Sequence, residues 1–379
     1  MPKNYFKAIA VLIGYVIGVG MFGLPFLVSR AGLLSFFVFI ILLGLAQYLL
    51  HLIYANVIIA TKPYHRLPGY AAIYLGRKGK IIVFISKMIG NYGALLAYII
   101  ITGIFLNQLL SPIFGGSEFF YASLLFAIEA AIVFFGIGMI ARAELMMSGL
   151  LLLVVILIAW KGWGAINISN YNVVTWQNFL LPYGAMLFAL DGGGSLPIVA
   201  KLLKKDKDSI KSVIRMGTII SILVITMFTL VIVGISGSQT SPDALSGVGL
   251  ILNDGVIFFA LIFGVLTMVT SFFGVAQSVK EALWWDFKIN KYAAWALAVF
   301  IPYGLYLVGL KNLIGVISIA GGVAGGLSAI ILILIFRKMS KMKNKLLLFK
   351  RPPGRAIIYF LIGLFICGII YEAYYFLIK

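Results

Sequence analysis

The chain is dominated by long apolar stretches, each close to the length that crosses a lipid bilayer. A transmembrane helix needs roughly 20 mostly apolar residues, and eleven stretches approach or exceed that length. They cover residues 8–29, 32–60, 82–110, 119–138, 143–164, 178–200, 213–236, 249–279, 292–310, 313–335 and 355–377. Only 11% of the residues are charged, against about 25% in soluble domains. The sequence therefore predicts an all-α polytopic membrane protein, with residues 1–379 forming one transmembrane domain.

Basic residues are concentrated in every second loop between these stretches. Of the 30 Lys and Arg residues, 26 fall in one alternating set of loops, and the other set holds four. These four are Arg30, Lys161, Lys311 and Lys379. Because cytoplasmic loops carry the excess of Lys and Arg, we expect insertion in the cell (plasma) membrane, with the N-terminus cytoplasmic and the C-terminus outside. The net charge of +19 then reflects membrane orientation and does not indicate nucleic acid as a partner.

Several other classes are disfavoured by the sequence. The first apolar stretch is too long for a signal-peptide core and is broken by Gly and Pro, so we expect it to be retained. One cysteine, Cys367, and two histidines do not suffice for a structural zinc site. The sequence contains no H-E-x-x-H or G-x-S-x-G motif and no P-loop. We therefore expect neither an enzyme nor a cofactor, apart from Na⁺ as a coupling ion. Membrane lipid is an expected partner, and the basic segment 337–355 can contact anionic headgroups.

Two spans contain clustered glycines followed by Leu-Pro. The first span has Gly18-Val-Gly-Met-Phe-Gly-Leu-Pro25, and the sixth has Asp191-Gly-Gly-Gly-Ser-Leu-Pro197. The G-x-G-x-x-G pattern in the first span is not a nucleotide motif, because it lies inside an apolar stretch and no acidic residue follows at the required distance. The two prolines lie 172 residues and five spans apart, so a repeat of this length must be inverted. Paired interruptions of this kind indicate the binding site of a secondary transporter.

Each interruption exposes backbone groups that a regular helix pairs internally. Clustered glycines tolerate non-helical dihedral angles, and unpaired backbone groups persist at membrane depth only where they line a cavity or meet a ligand. The half-helix after each break presents amide groups to a carboxylate, and the carbonyl groups before it can accept from an ammonium group. The pattern therefore predicts a site for an amino-acid zwitterion. The alternative is close helix packing, which the spacing of Gly321/Gly325 and Gly322/Gly326 favours elsewhere in the chain.

Two further segments are His65-Arg-Leu-Pro-Gly-Tyr70 and Thr270-Ser-Phe-Phe-Gly-Val-Ala276. With the two breaks, they make the chain resemble the amino acid/auxin permease group of the amino acid–polyamine–organocation superfamily, especially its bacterial aromatic and hydroxy amino acid permease branch. The matching segments extend over most of the chain. The resemblance implies the inverted five-plus-five fold of the leucine transporter, with repeats at about 8–164 and 178–335 and an additional helix at about 355–377.

The resemblance also implies a substrate site. By position, the amides of Val19 and Gly20 would bind the substrate carboxylate, and carbonyl groups near Val16, Phe188 and Ala189 would meet its ammonium group. Together with the break residues, the predicted substrate site consists of Val16, Gly18, Val19, Gly20, Phe188, Ala189, Asp191 and Gly192.

A cation site is implied in the same way. The implied ligands are the carbonyl groups of Gly14, Ile17 and Thr267 and the hydroxyl groups of Thr270 and Ser271. Oxygen ligands suit a hard cation such as Na⁺. The second sodium site of the leucine transporter requires an amide side chain just after Gly20, where this chain has Met21, so we expect that second site to be absent. The family includes proton-coupled members, so the sequence leaves both Na⁺ and H⁺ as alternatives for the coupling ion.

Ionisable residues inside spans are functional hypotheses by default. Asp191, at the sixth-span break, could pair with the substrate ammonium, help to bind a cation or carry a coupled proton. The alternative role for Asp191 is structural: its carboxylate would cap the half-helix that follows. The family pattern often has a small neutral residue here, so Asp191 is a departure. Glu129, midway along the fourth span, is either a second proton carrier or a buried group bonded to a neighbouring helix.

Four other residues in the spans have simpler expected roles. His51 is expected to be a packing residue rather than a proton carrier. Lys87 lies near the cytoplasmic end of the third span, where its side chain can extend towards the membrane surface. Tyr92 and Tyr98 on the same span are candidates for the wall of a pocket.

The main functional hypothesis is therefore a secondary active amino acid transporter that moves its substrate together with Na⁺ or H⁺. An uncoupled amino acid or polyamine exchanger is the alternative within the transport class. A transporter-like nutrient sensor is the alternative outside it, although about seven residues before the first span offer little surface for a signalling partner.

Overall fold

The computed structural model describes residues 4–62, 65–135, 140–204, 206–252, 255–342 and 346–378. Lys379, one of the four cations of the sparsely charged loops, lies outside the described residues, as do residues 136–138 of the fourth predicted span and 253–254 of the eighth. In the described parts of the chain the structure is 85% helical and has no strands. The prediction of an all-α fold is confirmed.

Fifteen α-helices follow one another along the described residues. The first eight are α1 (Tyr5–Val16), α2 (Val19–Ala31), α3 (Leu33–Ala60), α4 (Leu67–Phe114), α5 (Glu118–Phe135), α6 (Ile140–Gly162), α7 (Tyr183–Ala189) and α8 (Leu196–Leu202). The remaining seven are α9 (Lys207–Ser236), α10 (Leu245–Leu252), α11 (Gly255–Glu281), α12 (Lys291–Leu307), α13 (Leu313–Ile319), α14 (Gly326–Ser340) and α15 (Arg355–Ala373). A π-helical turn, Ala320–Gly325, joins α13 to α14.

Eight helical segments in the described residues are long and apolar enough to cross a membrane, and the bent pair α1–α2 makes nine. One predicted span falls short in length. Helix α12 has 17 residues, fewer than the roughly 20 that span a bilayer straight. The fifth predicted span corresponds to the 23-residue helix α6. The chain therefore has the character of an integral membrane protein, and the count of eleven and the inverted repeat stay predictions.

Both predicted helix breaks are present. Helices α1 and α2 meet at an angle of 52°, and the connecting residues Ile17 (φ −84°, ψ 97°) and Gly18 (φ −153°, ψ −153°) are extended. In the sixth span, helix α7 ends at Ala189 and α8 begins at Leu196. Pro197 falls in the first turn of α8, where a missing N–H costs no intrahelical hydrogen bond. The clustered glycines thus interrupt each helix, and the Leu-Pro pair follows each interruption.

Glycines also bring the broken helices close to their neighbours. A side chain at Gly20 on α2 would place its Cβ 2.7 Å from the Cα of Ala189 on α7. A side chain at Gly321 would place its Cβ 2.1 Å from the carbonyl oxygen of Gly184 and 2.6 Å from the backbone nitrogen of Phe188, both on α7. Helix α7 is therefore held between α2 and the π-helical turn with backbones almost in contact. The packing interpretation of Gly321 is confirmed.

Helix α4 is longer than its predicted span because a kink joins a second helix to it. Gly76 has a left-handed conformation (φ 76°) between the two parts, which glycine adopts without steric cost. The segment before the kink contains the end of the His65–Tyr70 motif and turns away from the long span that follows. The backbone N–H of His65 donates to the Tyr70 hydroxyl at 3.2 Å, so this motif stabilises its own turn.

The glycine contact at the π-helical turn predicts a measurable loss of stability. We expect Gly321→Ala to lower the free energy of unfolding by about 1–3 kcal/mol, because the added methyl group meets backbone atoms that cannot rotate away. Gly304→Ala on α12 is the matched control, since a Cβ there has no atom within 4 Å. Thermal unfolding of both variants in detergent micelles would measure the difference. Equal melting temperatures would contradict the close packing of α7 on the turn.

Candidate binding site at the two helix breaks

A cavity of about 210 Å³ lies where the two interrupted spans meet. Its walls come from α1 and α2, from the sixth span, from α4, from α11 and from the π-helical turn. Its lining includes Gly14, Val16, Gly18, Val19, Gly20, Arg66, Ser86, Lys87, Gly90, Asn91, Ala94, Tyr98, Phe188, Ala189, Asp191, Ser271, Ala320, Gly321, Ala324 and Ser328. The breaks in distant parts of the sequence therefore open into one space.

The first span contributes the N-terminus of a helix to this space. Val16, Gly18, Val19 and Gly20 all line the cavity, and α2 begins at Val19. The first amide groups of an α-helix have no partner within the helix, so the amides of Val19 and Gly20 belong to the group that can bind an anion. Glycine at position 20 is required sterically, since α7 leaves no room for a side chain there.

The sixth span contributes carbonyl groups and a carboxylate. Phe188, Ala189 and Asp191 line the cavity, and Gly192 does not. The carbonyl of Phe188 already accepts a hydrogen bond from the amide of Asp191 at 3.2 Å. Gly192 is turned the other way: its amide donates to Nε2 of His51 on α3 at 3.1 Å. His51 thus stabilises the break from the side away from the cavity. This hydrogen bond is an addition to the packing role predicted for His51.

Asp191 carries two separate contacts. Its Oδ1 accepts from the amide of Gly193 at 2.9 Å, and its Oδ2 lies 3.7 Å from Nζ of Lys87 on α4. The first contact closes a turn within the break and does not cap α8, whose N-cap is Ser195 and whose first amides donate no hydrogen bond to a side chain of the described residues. The second is an ion pair inside the cavity. The Asp191 side chain retains 41% of its exposure and that of Lys87 retains 33%, so water reaches the pair and weakens it.

The predicted cation ligands are only partly gathered at the cavity. Gly14 and Ser271 line it, whereas Ile17, Thr267 and Thr270 do not. The hydroxyl of Thr270 donates to the carbonyl of Thr267 at 2.9 Å, and the hydroxyl of Thr267 donates to Phe263 at 2.8 Å. Two of the predicted ligands are therefore bonded to each other, with lone pairs left on each oxygen.

The other singled-out residues separate into two groups. Tyr98 lines the cavity, as one of the two candidate wall tyrosines. Tyr92 does not line the cavity and packs both against the main core and against a smaller apolar cluster that contains Val279 and Ala294. Glu129 on α5 is buried, and its Oε1 has no hydrogen-bond partner among the described residues. It does not line the cavity.

Sequence reasoning missed several polar residues of the cavity wall. Lys87 was expected to extend towards the membrane surface and instead pairs with Asp191. Asn91 lies one turn further along the same helix and also lines the cavity. Ser86 bonds to the Ser328 hydroxyl at 2.7 Å and to the Ala324 carbonyl at 2.6 Å. The i, i+4 spacing of Lys87 and Asn91 in an apolar span was the available signal, since it places both side chains on one helix face.

A second, smaller cavity of about 50 Å³ shares Lys87 and Asp191 with the first. Its other walls include Gln47, His51 and Tyr54 on α3. The Nε2 group of Gln47 donates to the carbonyl of Leu187 at 3.4 Å. Helix α3 therefore holds the sixth-span break at two points, one on each side of Asp191.

Comparison with known proteins adds two findings. Residues 1–372 match the sequence profile of the Tryptophan/tyrosine permease family. Among solved structures the fold is similar to that of MhsT, whose crystal structure was determined in complex with L-phenylalanine, with a TM-score of 0.69, 16% identity and 98% of each chain covered. No curated protein gives a significant match. The resemblance inferred from the sequence motifs is confirmed.

The hydrogen bond from Gly192 to His51 yields a prediction about the break. His51→Leu should lower the free energy of unfolding by about 1–3 kcal/mol, because it leaves the buried amide of Gly192 without an acceptor. His51→Gln is the matched variant, since its side-chain oxygen can still accept. Denaturant or thermal unfolding in detergent measures both. A leucine variant as stable as the glutamine variant would show that the bond does not support the break.

Proposed function

Since the chain belongs to the Tryptophan/tyrosine permease family, we propose that it carries an amino acid with an aromatic side chain across the membrane by alternating access, in symport with Na⁺ or H⁺. The family establishes amino acid transport as its general activity. One observation carries the finer proposal: the N-terminus of α2, the last carbonyl groups of α7 and the Asp191 carboxylate all open into the same cavity. The carboxylate of a zwitterion would therefore meet the α2 amides, and its ammonium group would meet the carbonyl groups and the Asp191 carboxylate, within one cavity.

The amino and carboxyl groups of the substrate would bind at the two breaks. The amides of Val19 and Gly20 suit the carboxylate, because they begin a 13-residue helix and lie at its positive dipole end. The ammonium group would meet the carbonyl groups of Val16 and Ala189 and the carboxylate of Asp191. Backbone groups fix only the parts common to all amino acids, so specificity must come from the other walls of the cavity.

Those walls suit a large flat side chain. Gly90 and Ala94 on α4 face the cavity together with Ala320, Gly321 and Ala324 of the π-helical turn, and small residues leave room between two backbones. Tyr98 and Phe188 add aromatic rings, which prefer offset or edge contacts with another ring. MhsT was solved with an aromatic amino acid, L-phenylalanine. These features, with the family, support an aromatic substrate.

Lys87 gives Asp191 an internal counter-ion. Its ammonium group lies 3.7 Å from the Asp191 carboxylate, which is the group that the substrate ammonium would need. A bound amino acid would compete with Lys87 for Asp191, and the displaced lysine could then approach water through the exposed side of the cavity. The pair therefore keeps a charged residue neutralised at membrane depth until substrate arrives.

The cavity in this conformation points towards the predicted cytoplasmic side. Arg66, in a loop of the basic set, lies on its rim and has a half-exposed side chain. In the other half of the molecule three fully buried rings, Phe22, Phe105 and Phe228, join α2, α4 and α9 with centroid distances of 5.5 and 5.6 Å. We assign this arrangement to an inward-facing state. Opening to the outside would require the first, second, sixth and seventh spans to rock against the rest and separate Phe22 on α2 from Phe105 on α4.

Two routes of ion coupling follow from the described residues. Oxygen atoms of Gly14, Ile17, Thr267, Thr270 and Ser271 would form a Na⁺ site between α1 and α11. The alternative carrier of H⁺ is Asp191, whose carboxylate reaches the cavity, with Glu129 as a more distant candidate. Ser271 is the only proposed hydroxyl ligand that lines the cavity in the described residues, so it would link the ion site to the substrate.

Substrate analogues test the zwitterion site, because backbone groups cannot be removed by mutation. We expect L-tryptophan uptake into proteoliposomes, and we expect tryptamine and indole-3-propionate to inhibit it roughly 10- to 100-fold less well than unlabelled L-tryptophan. Each analogue lacks one charged group, and a hydrogen bond to a charged group contributes about 1.5–3 kcal/mol. Inhibition by tryptamine equal to that by tryptophan would contradict carboxylate binding at α2.

The same vesicles identify the coupling ion. With an inward Na⁺ gradient as the only driving force, uptake should be lost in Thr270→Ala if the predicted cation site is used. Thr229→Ala on α9 is the control, since it also removes a buried hydroxyl. Uptake under a proton gradient alone, unaffected by Thr270→Ala but lost in Asp191→Asn, would assign coupling to the carboxylate. Equal uptake with no gradient, and stimulation only by internal amino acid, would contradict symport.

A further inference from the structure

A second carboxylate lies near the candidate site, behind its wall and outside the cavity. Glu372 is in the last turn of α15 and is fully buried, with 0% of its surface exposed. No ion pair to it occurs among the described residues, where the two ion pairs are Arg66–Glu281 and Lys87–Asp191. A buried carboxylate inside a membrane span requires a partner or a function, and the transport mechanism above does not use it.

One oxygen of Glu372 holds the start of α7. Oε1 accepts a hydrogen bond from the amide of Gly184 at 2.8 Å, and Gly184 is the second residue of α7. The neighbouring Tyr183 donates its hydroxyl to the carbonyl of Leu364 on α15 at 3.2 Å. Helix α7 is thus attached to α15 at two consecutive residues, and its other end carries Phe188 and Ala189 at the cavity.

The side chain of Glu372 also fits against the π-helical turn. A Cβ at Gly322 would lie 2.3 Å from Cγ of Glu372, so only glycine leaves space for it. In the same turn, the adjacent residue Gly321 lies against the backbone of α7, and Ala320 and Ala324 line the cavity. Glu372 therefore contacts both elements whose mutual packing forms one wall of the site.

The second oxygen of Glu372 has no partner. Oε2 is buried and makes no hydrogen bond within the part of the chain that the structure describes. The titratable groups that face Glu372 are phenols, Tyr183 on α7 and Tyr371 on α15. The Cys367 thiol on α15 faces Tyr183. No Lys or Arg of α13, α14 or the π-helical turn forms an ion pair with it. An ionised carboxylate with an unpaired buried oxygen has a high desolvation free energy, because its hydrating water is lost and no other hydrogen-bond donor replaces it.

We propose that Glu372 is a proton-binding site outside the substrate cavity, and that its proton controls how closely α7 packs on the π-helical turn. A proton taken from water adds to Oε2 as an O–H group, and no other bond changes. The neutral acid keeps Oε1 as acceptor for Gly184 and removes the charge from the buried oxygen. Among the ligands that could satisfy Oε2, a proton is the one that needs no additional space beside Gly322.

Loss of this proton would act on the cavity wall. The carboxylate would draw in water, and hydration of Oε2 requires Glu372 to move away from Gly322 or from Gly184. Either movement loosens α7 from the π-helical turn. In the alternating-access scheme α7 belongs to the moving spans, and the turn belongs to the tenth span, which stays in place. Protonated Glu372 would therefore favour the present arrangement, and deprotonation would favour movement of α7.

Thermal unfolding against pH tests the proton site without reference to transport. In detergent micelles between pH 5 and 9, the melting temperature of the wild type should fall as pH rises, because the folded state favours the protonated acid. E372Q should make this fall smaller, since its amide is neutral at every pH, and the part that remains belongs to Glu129, the other buried carboxylate with an unpartnered oxygen among the described residues. Y371F is the matched control and should keep the wild-type profile. A wild-type profile in E372Q, or a flat profile in the wild type, would overturn the proposal. If E372Q does not fold, E372D serves instead: a shifted midpoint supports the site, and an unchanged profile overturns it.

Ligand binding tests the link to the cavity, and this part of the inference rests on the proposed function. The affinity for L-tryptophan should differ between pH 5.5 and 8.5 by roughly tenfold, the effect of a one-unit difference in proton affinity between two conformations. In E372Q this difference in affinity should be smaller than in the wild type, and what remains belongs to Asp191 in the cavity. An undiminished pH dependence in E372Q would overturn the link. No tryptophan binding by any variant would instead contradict the proposed function, while the melting profiles would still decide the proton site.

Discussion

Backbone hydrogen bonding inside a lipid bilayer is the constraint on which this structure depends. A regular helix pairs its own amide and carbonyl groups, and any interruption must find other partners. The chain interrupts two spans, at Ile17–Gly18 and at residues 190–195. It supports the second interruption with His51 and Gln47 on α3 and with the Asp191 carboxylate. The groups left over at both interruptions face one cavity, which is what makes the breaks useful for binding.

The two carboxylates near this cavity have different surroundings, which differ in how well they stabilise a negative charge. Asp191 has a cation, a backbone amide and access to water, so its charge can persist and can be exchanged between Lys87 and a ligand. Glu372 has one amide and otherwise apolar or phenolic neighbours. A charge is tolerated at the first position and penalised at the second. This difference is why we propose charge recognition for Asp191 and a proton-dependent role for Glu372.

Much of the fold could be predicted because apolar length and clustered glycines act locally. The all-helical structure, both breaks and the close packing of Gly321 followed from residues adjacent in sequence. The contacts across the molecule could not be predicted in the same way. The role of Lys87 was predicted only from its depth in the span. Its ion pair with Asp191, 104 residues away in the sequence, depends on how α4 is rotated against the sixth span. Glu372 was overlooked, since it lies in the additional helix, and only tertiary packing brings that helix to α7.

The central claim is that a substrate carboxylate binds at the N-terminus of α2. The most direct test is a solid-state NMR distance between L-tryptophan labelled with ¹³C at its carboxyl carbon and protein labelled with ¹⁵N at Val19 and Gly20. A hydrogen bond with an N···O separation of about 3 Å puts the labelled carbon within about 4 Å of at least one of these nitrogens, and the account predicts a dipolar coupling of that strength. Bound tryptophan without such a coupling would contradict it.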